Sequence, residues 1–209
     1  MFPADRVVIT LSGSFGTNLV PIAERLAQLV HLPLHAAGFT TEELMAWAED
    51  AGTSDQFLTM LLATTRQDEA DGVNPAEHCL AAKFNELGAV IRRTVLNHAV
   101  EGGILIESCA AQILAGRPNT LHVRLNGPLA VRIQRYADEH HLDPRVAADV
   151  QRREAGIRSR LASCTYGYDP EILDAYDLVV NTRLYSAEVV AQMIARAAGA
   201  WTDLRLVGA

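Results

Sequence analysis

Lysine is almost missing from this chain: Lys83 is the only one in 209 residues, and every other member of the Lys+Arg total of 18 is arginine. Cysteine is scarce too. Cys79, Cys109 and Cys164 are odd in number and far apart, which excludes a disulfide framework or a cysteine-based zinc site and fits reduced, mostly buried thiols in a cytoplasmic protein. No stretch approaches the ~18 uninterrupted apolar residues of a membrane-spanning helix, so no membrane span is expected. Residues 1–6 are not a basic stretch, and the apolar run at residues 7–11 is far too short for the core of a secretory signal. Basic residues are also outnumbered. The net charge is -7 and the sequence pI about 5.5, which argues against a general nucleic-acid partner. What remains, 49% hydrophobic and 21% charged residues in 22.7 kDa, is sized for one domain that buries its own core.

The arginines are unevenly spread. Arg124, Arg132, Arg135, Arg145, Arg152, Arg153, Arg158 and Arg160 crowd into one segment. Arginine presents a planar fork suited to carboxylates and phosphates. A preference for Arg over Lys on helix surfaces explains the residue type, but explains the crowding less well.

The order of elements follows from periodicity. Residues 7–11, Val-Val-Ile-Thr-Leu, are β-branched and almost wholly apolar, as in a buried parallel strand. A loop of small and polar residues, 12–18, leads into a helical pattern at Leu19, Ile22, Ala23, Leu26, Ala27, Leu29 and Val30, with Pro21 in its first turn. Residues 31–35 read as a short second strand. The middle reads as helical, with capping boxes at Thr40-Thr41-Glu42-Glu43 and Thr53-Ser54-Asp55-Gln56 and a polar, acidic loop at 67–72. Asn74-Pro75 opens a long helix with Leu80, Phe84, Leu87, Ile91 and Val95 on one face. After Gly102-Gly103 the spacing predicts strands at 104–106, 121–125 and 178–180. It places helices at 110–114 and 128–140, one capped by Asp143-Pro144 that carries the arginines, and one capped by Ser186. Strands alternating with helices predict an α/β fold, a parallel sheet with helices on both faces. Trp201 and residues 204–207 are expected to form an apolar tail after the last helix, packed on the core or on a second copy of the chain.

In an open parallel sheet ligands bind beyond the carboxyl ends of the strands, and a glycine loop entering a helix there presents backbone N–H groups to an anion. The phosphate-cradling pattern G-x-x-x-x-G-K-[ST] laid from Gly13 puts Asn18 at the last Gly, Leu19 at the Lys and Val20 at the Ser/Thr. Half of the pattern is present and the chemical half is missing, and the terminal Gly is lost with the cation. Ser12, Gly16 and Thr17 could line an anion site; a plain β–α turn is the other reading, and the loop by itself favours neither.

Four stretches together resemble the cytidylate kinase-like P-loop proteins, relatives of the nucleoside monophosphate kinases. The family opens with a strand and S-R-[EQ]-x-G-S-G-G-x-x-I-A; here Ser12, Gly16, Ile22 and Ala23 match. A stretch near V-I-I-G-R-G-A-x-x-I-L is Ile104-Leu105-Ile106-Glu107-Ser108-Cys109-Ala110-Ala111-Gln112-Ile113-Leu114. A-P-x-x-x-R-I-x-R is met by Gly127-Pro128-Leu129-Ala130-Val131-Arg132-Ile133-Gln134-Arg135, and Y-D-L-V-I-N-T by Tyr176-Asp177-Leu178-Val179-Val180-Asn181-Thr182. The likeness covers residues 7–36 and 102–196.

The resemblance implies a single three-layer P-loop domain over residues 1–209. Within it a helical insertion at 37–101 would close on an acceptor monophosphate, and an arginine-bearing lid at 143–168 would close over the donor. It implies phosphate binding by Ser12, Gly13, Ser14, Gly16, Thr17, Asn18, Arg132 and Arg135, and charge stabilisation during phosphoryl transfer by Arg152, Arg153 and above all Arg158. Against that stand the losses. The family's G-R-G is Glu107-Ser108-Cys109, so an arginine for the acceptor phosphate is absent and a carboxylate stands at the same strand end. The acid expected before the lid arginine is Ala155, with Glu154 adjacent.

The expected function is a cytidylate kinase-like protein that binds a nucleotide such as ATP, or another phosphate ligand, with weak or lost kinase activity and output through a protein partner. The alternative is an active phosphotransferase from ATP to CMP or another small phosphorylated acceptor, and Mg2+ is expected only in that case. A ligand-free scaffold is a third reading. No resident metal is expected: His140-His141 fits a helix end, and His31 and His35 flank the second strand with no third ligand nearby in sequence.

Overall fold

The computed structural model describes residues 6–36, 75–107, 109–167 and 172–207. The two capping boxes at 40–43 and 53–56, the acidic loop at 67–72, Asn74 and Ser108 lie outside the described residues. Five strands, β1 (Val8–Gly13), β2 (Leu34–Ala36), β3 (Gly103–Ile106), β4 (Thr120–Asn126) and β5 (Leu178–Asn181), form one sheet in the order β2-β3-β1-β4-β5. All four pairings are parallel. The helices are α1 (Leu19–Val30), α2 (Pro75–Glu101), α3 (Ala110–Ile113), α4 (Leu129–His140), α5 (Pro144–Tyr166) and α6 (Ala187–Val207).

The central strand is buried along its whole length, which is why its sequence is a continuous apolar run without alternation. Its side chains still divide by parity. Ile9 and Leu11 face one layer, where Ile22 and Leu26 of α1 meet Val190 and Ile194 of α6. Val8 faces the other, where Leu87, Ile91 and Val95 of α2 pack with Ile157 of α5 and Leu114. This is the three-layer α/β arrangement that the strand–helix alternation predicts.

Helix ends follow local chemistry. Asp143 accepts from the Arg145 N–H at 2.7 Å, with Pro144 in the first turn, so α5 starts where the Asp-Pro pair requires. Ser186 Oγ accepts from the Val189 N–H at 3.3 Å at the start of α6. His31 and His141 end α1 and α4 in the left-handed region, at φ 54 and φ 55.

Two expectations need correction. The second strand starts at Leu34 rather than His31, because His31 still serves as the cap of α1 and Pro33 has no N–H for a ladder. The apolar residues from Trp201 to Val207 are not a tail after the last helix but its continuation, since α6 runs unbroken to Val207. Gly199 is the one glycine within α6, and a single interior glycine costs only about 1 kcal/mol.

Candidate phosphate-binding site

After β1 the chain leaves towards β2 at one edge; after β3 it crosses back to β4 on the other side of β1. Helix α1 packs on one face and α3 on the opposite one. The carboxyl end of β1 is therefore the switch point of the sheet, where a crevice opens. Residues 14–18 occupy it, and their shape is set from within and from both sides. Thr17 is buried and its hydroxyl donates to the Ser14 carbonyl at 2.8 Å, closing the turn. The Ser14 N–H is held by the Leu125 carbonyl of β4 at 3.1 Å. Gly16 has φ +72, and a Cβ there would stand 2.3 Å from the Arg132 carbonyl oxygen, so α4 lies directly against the loop. Asn18 takes the left-handed conformation at φ 58 and its side chain makes no cap hydrogen bond to α1.

Four arginines converge on this turn. Arg132 Nη1 donates to the Phe15 carbonyl at 2.8 Å and its Nε to the Gly127 carbonyl at 2.8 Å. Arg135 Nη1 donates to the Gly16 carbonyl at 3.1 Å, and its Nη2 to the Thr182 carbonyl at 2.9 Å. Arg158 Nη1, from α5, donates to the Gly13 carbonyl at 2.9 Å. Beneath the turn Arg124, only 1% exposed, donates to Ser14 Oγ at 3.0 Å and to Ser12 Oγ at 3.4 Å, with its guanidinium 5.8 Å from the Tyr176 ring centre. Several positive forks so surround a short loop at a helix N-terminus, a setting that favours an anion.

A cleft of about 250 Å³ opens between the loop, α4 and α5, lined among others by Ser14, Phe15, Arg132, Glu154, Arg158 and Ser159. Residues 151, 154, 155, 158 and 159 of α5 line it, at spacings of three and four that put them on one helix face. Arg152 and Arg153 fall on the other face. Both are exposed, and Arg152 pairs with Asp149 one turn back at 2.9 Å. Arg158 is thus brought to the loop and Arg152 and Arg153 are not. Of the loop residues, Ser14 lines the cleft, Gly13 and Gly16 offer carbonyls to arginines, and Thr17 is turned inward.

The losses seen in the sequence have a structural counterpart. Leu19 packs against the apolar layer between the sheet and α1, and Val20 is 53% exposed with no hydroxyl to offer. Glu107 is buried beyond β3, where its carboxylate accepts from the Cys109 N–H at 3.1 Å. Tyr166 donates to the Gly88 carbonyl at 3.0 Å nearby; burial above all, with the charges of Cys109 and Glu107, raises its pKa above the usual tyrosine value. Cys109 is 2% exposed, a buried structural thiol.

Arg124 is the site residue that sequence reasoning missed. It was visible as one of the crowded arginines, and its signal is a lone arginine inside an apolar strand run, Leu121-His122-Val123-Arg124-Leu125. A charge at such a position has to be paired from below the loop.

Comparison with known proteins gives the family and the fold. A sequence model described as the cytidylate kinase-like family matches residues 8–184. A cytidylate kinase of Ignicoccus hospitalis is 30% identical over 192 residues, 90% of this chain and 97% of that protein. A uronate isomerase of Corynebacterium glutamicum is 27% identical over 137 residues, 65% of this chain, which span only 25% of that protein. Among solved structures, an uncharacterized protein from Eubacterium ventriosum aligns with TM-score 0.65 at 16% identity, over 94% of this chain and 99% of the other. A gluconokinase from Sinorhizobium meliloti aligns with TM-score 0.51 at 10% identity, over 98% of each chain. With the parallel sheet, the loop at its switch point and the match from β1 to beyond β5, the chain belongs to the cytidylate kinase-like family and has the P-loop kinase fold.

Proposed function

We propose that this protein binds a nucleotide or a related phosphate ligand at the turn after β1, and that its kinase activity is weak or lost. One observation carries the reading: Arg132, Arg135 and Arg158 reach the loop from two helices and donate to the carbonyls of Phe15, Gly16 and Gly13. Those carbonyls engage the guanidinium forks. A phosphate entering the cleft would exchange with them, because a charged acceptor makes the stronger bond. The N-terminus of α1 adds its partial positive charge.

The case for weak transfer rests on combined losses at both ends of the site: Asn18, Leu19 and Val20 on the donor side, and Glu107-Ser108-Cys109 in place of the family's G-R-G on the acceptor side. A P-loop kinase places a cation on the β- and γ-phosphates and a hydroxyl on Mg2+ from positions 19 and 20. Here Leu19 is half-buried against the core and Val20 has no hydroxyl, while the hydroxyl of Thr17 is engaged with Ser14. Position 20 therefore supplies no hydroxyl to Mg2+. In this reading residues 37–101 serve as the acceptor-side insertion and 143–168 as the lid. Occupancy of the cleft would be read by a protein partner in the cytoplasm.

Active transfer from ATP to CMP is the second reading, favoured by the 30% identity to a cytidylate kinase. Arg158 and Arg132 would then supply the charge that the loop lacks. Calorimetry with ATP, CMP and pyrophosphate tests binding, and a coupled assay for ADP tests transfer. Saturable binding with no ADP above the uncatalysed rate supports the proposal. Turnover supports the second reading, and no binding of any of the three ligands sinks both.

A further inference from the structure

The two histidines near β2 have no third ligand beside them in sequence, but the fold supplies one. His35 on β2 meets His98 and Glu101 from the last turns of α2, and one ligand atom of each lies within 4.8 Å of the others. The meeting is built by the turn from α2 into β3. Gly102 and Gly103 both have positive φ, 78 and 128, and a Cβ on Gly103 would lie 3.0 Å from the His35 Cδ2 and Nε2 atoms. The imidazole of His35 rests where any other residue would put its side chain.

We propose that His35, His98 and Glu101 form a binding site for a divalent transition metal of the zinc class, separate from the phosphate cleft. The donor set is two imidazoles and one carboxylate, and water completes four-coordination. His35 Nε2 lies 3.2 Å from the Gly102 carbonyl oxygen. A carbonyl only accepts, so Nε2 carries the proton there and the Nδ1 lone pair is left for a metal. A ligating histidine typically has this kind of outer hydrogen bond, which fixes tautomer and ring orientation. His98 Nδ1 is buried and makes no hydrogen bond among the described residues; the nearest charge is the Glu101 carboxylate at 3.9 Å. The two rings lie face to face, centres 4.3 Å apart and planes 23° apart, so one ring must turn for both in-plane lone pairs to reach a single ion. Metal–nitrogen bonds of about 2.0–2.1 Å need the donors closer than they stand now. The side chain of Glu101, 64% exposed, is free to rotate inward and complete the set.

The cluster sits at the start of β3, the end of the sheet opposite the phosphate cleft. An ion there would tie the short edge strand β2 to the C-terminal end of α2, so its effect is on stability. The test uses the full chain, stripped with chelator and titrated with Zn2+ by calorimetry and with Co2+ by visible absorption. One ion per chain, a tetrahedral Co2+ spectrum and a raised melting temperature are expected. H98Q and E101Q should each lower affinity by ~10–100-fold or more, whereas H31N, on a neighbouring histidine outside the cluster, should not. Should H98Q fail to fold, E101Q at the exposed position carries the comparison. Absence of Zn2+ binding, or binding equal in E101Q and the unmodified chain, overturns the proposal whether or not nucleotides bind.

Discussion

Arg158 of α5 donates to the carbonyl oxygen of Gly13 at 2.9 Å, joining two residues 145 positions apart. The bond holds α5 on the loop after β1. It exists because α5 puts residues 151, 154, 155, 158 and 159 on its inner face. The neighbouring Arg152 and Arg153 face away and contribute nothing to that contact.

Replacing Arg158 therefore separates tether from surface charge. R158A should weaken pyrophosphate or ATP binding by about 10- to 100-fold, the worth of a charge-assisted hydrogen bond lost in a cleft. R152A should change affinity less than twofold, roughly the scale of an exposed ion pair. Calorimetry on both variants checks this, and equal losses in the two would show that general charge rather than the Gly13 contact is responsible.

Gly16 is fixed by geometry. G16A forces a side chain into φ +72 and places its Cβ 2.3 Å from the Arg132 carbonyl. Left-handed strain and overpacking together should cost about 2–4 kcal/mol. The melting temperature should fall by ~5 °C or more for a chain of this size. N18G, at φ 58, should instead leave stability unchanged or slightly raised. A thermal melt that ranks the two the other way contradicts the described loop.

Restoring the G-x-x-x-x-G-K-[ST] pattern at positions 19 and 20 should not be a single event. V20S alters an exposed position and should shift stability by less than about 0.5 kcal/mol. L19K places a charge against the apolar layer and should lower the melting temperature measurably before any gain in ATP affinity. Differential scanning calorimetry of the two single variants tests the order.

His122 on β4 gives a pH dependence. Its Nδ1 lies 2.8 Å from Thr10 Oγ1 inside the sheet, and burial lowers its pKa from 6.5 against the smaller opposing effect of Asp177. The unfolded chain therefore binds a proton that the folded chain resists. Stability is complete above about pH 6.5 and falls as the pH drops below it towards the depressed folded value. Urea unfolding from pH 7.5 down to pH 5 should show this fall, and H122Q should flatten it. An unchanged slope in H122Q would assign the effect to other groups.

How much was legible beforehand depended on the kind of information involved. β1, α1, α4 and α5 could be read because their signals are local: a β-branched run, helical spacing and an Asp-Pro cap. The glycine loop could be located for the same reason. The roles of the individual arginines could not be read from local signals, and only the family resemblance singled out Arg158. Arg152, Arg153 and Arg158 are equivalent in residue type and differ only in which side of α5 meets the loop. Arg124 was hidden because its partners, Ser12 and Ser14, are 112 and 110 residues away.

The sequence by itself determined the element order, the parallel α/β class, the family and the missing cation at position 19, because each is written in residue type and short-range period. Only the tertiary structure decided which arginines face Gly13, Phe15 and Gly16, that Thr17 turns inward, and that His35 meets His98 and Glu101. Apart from the Thr17 turn, those relations depend on parallel crossovers that bring residues about 60 to 145 apart in the chain into contact, and no local pattern carries that distance.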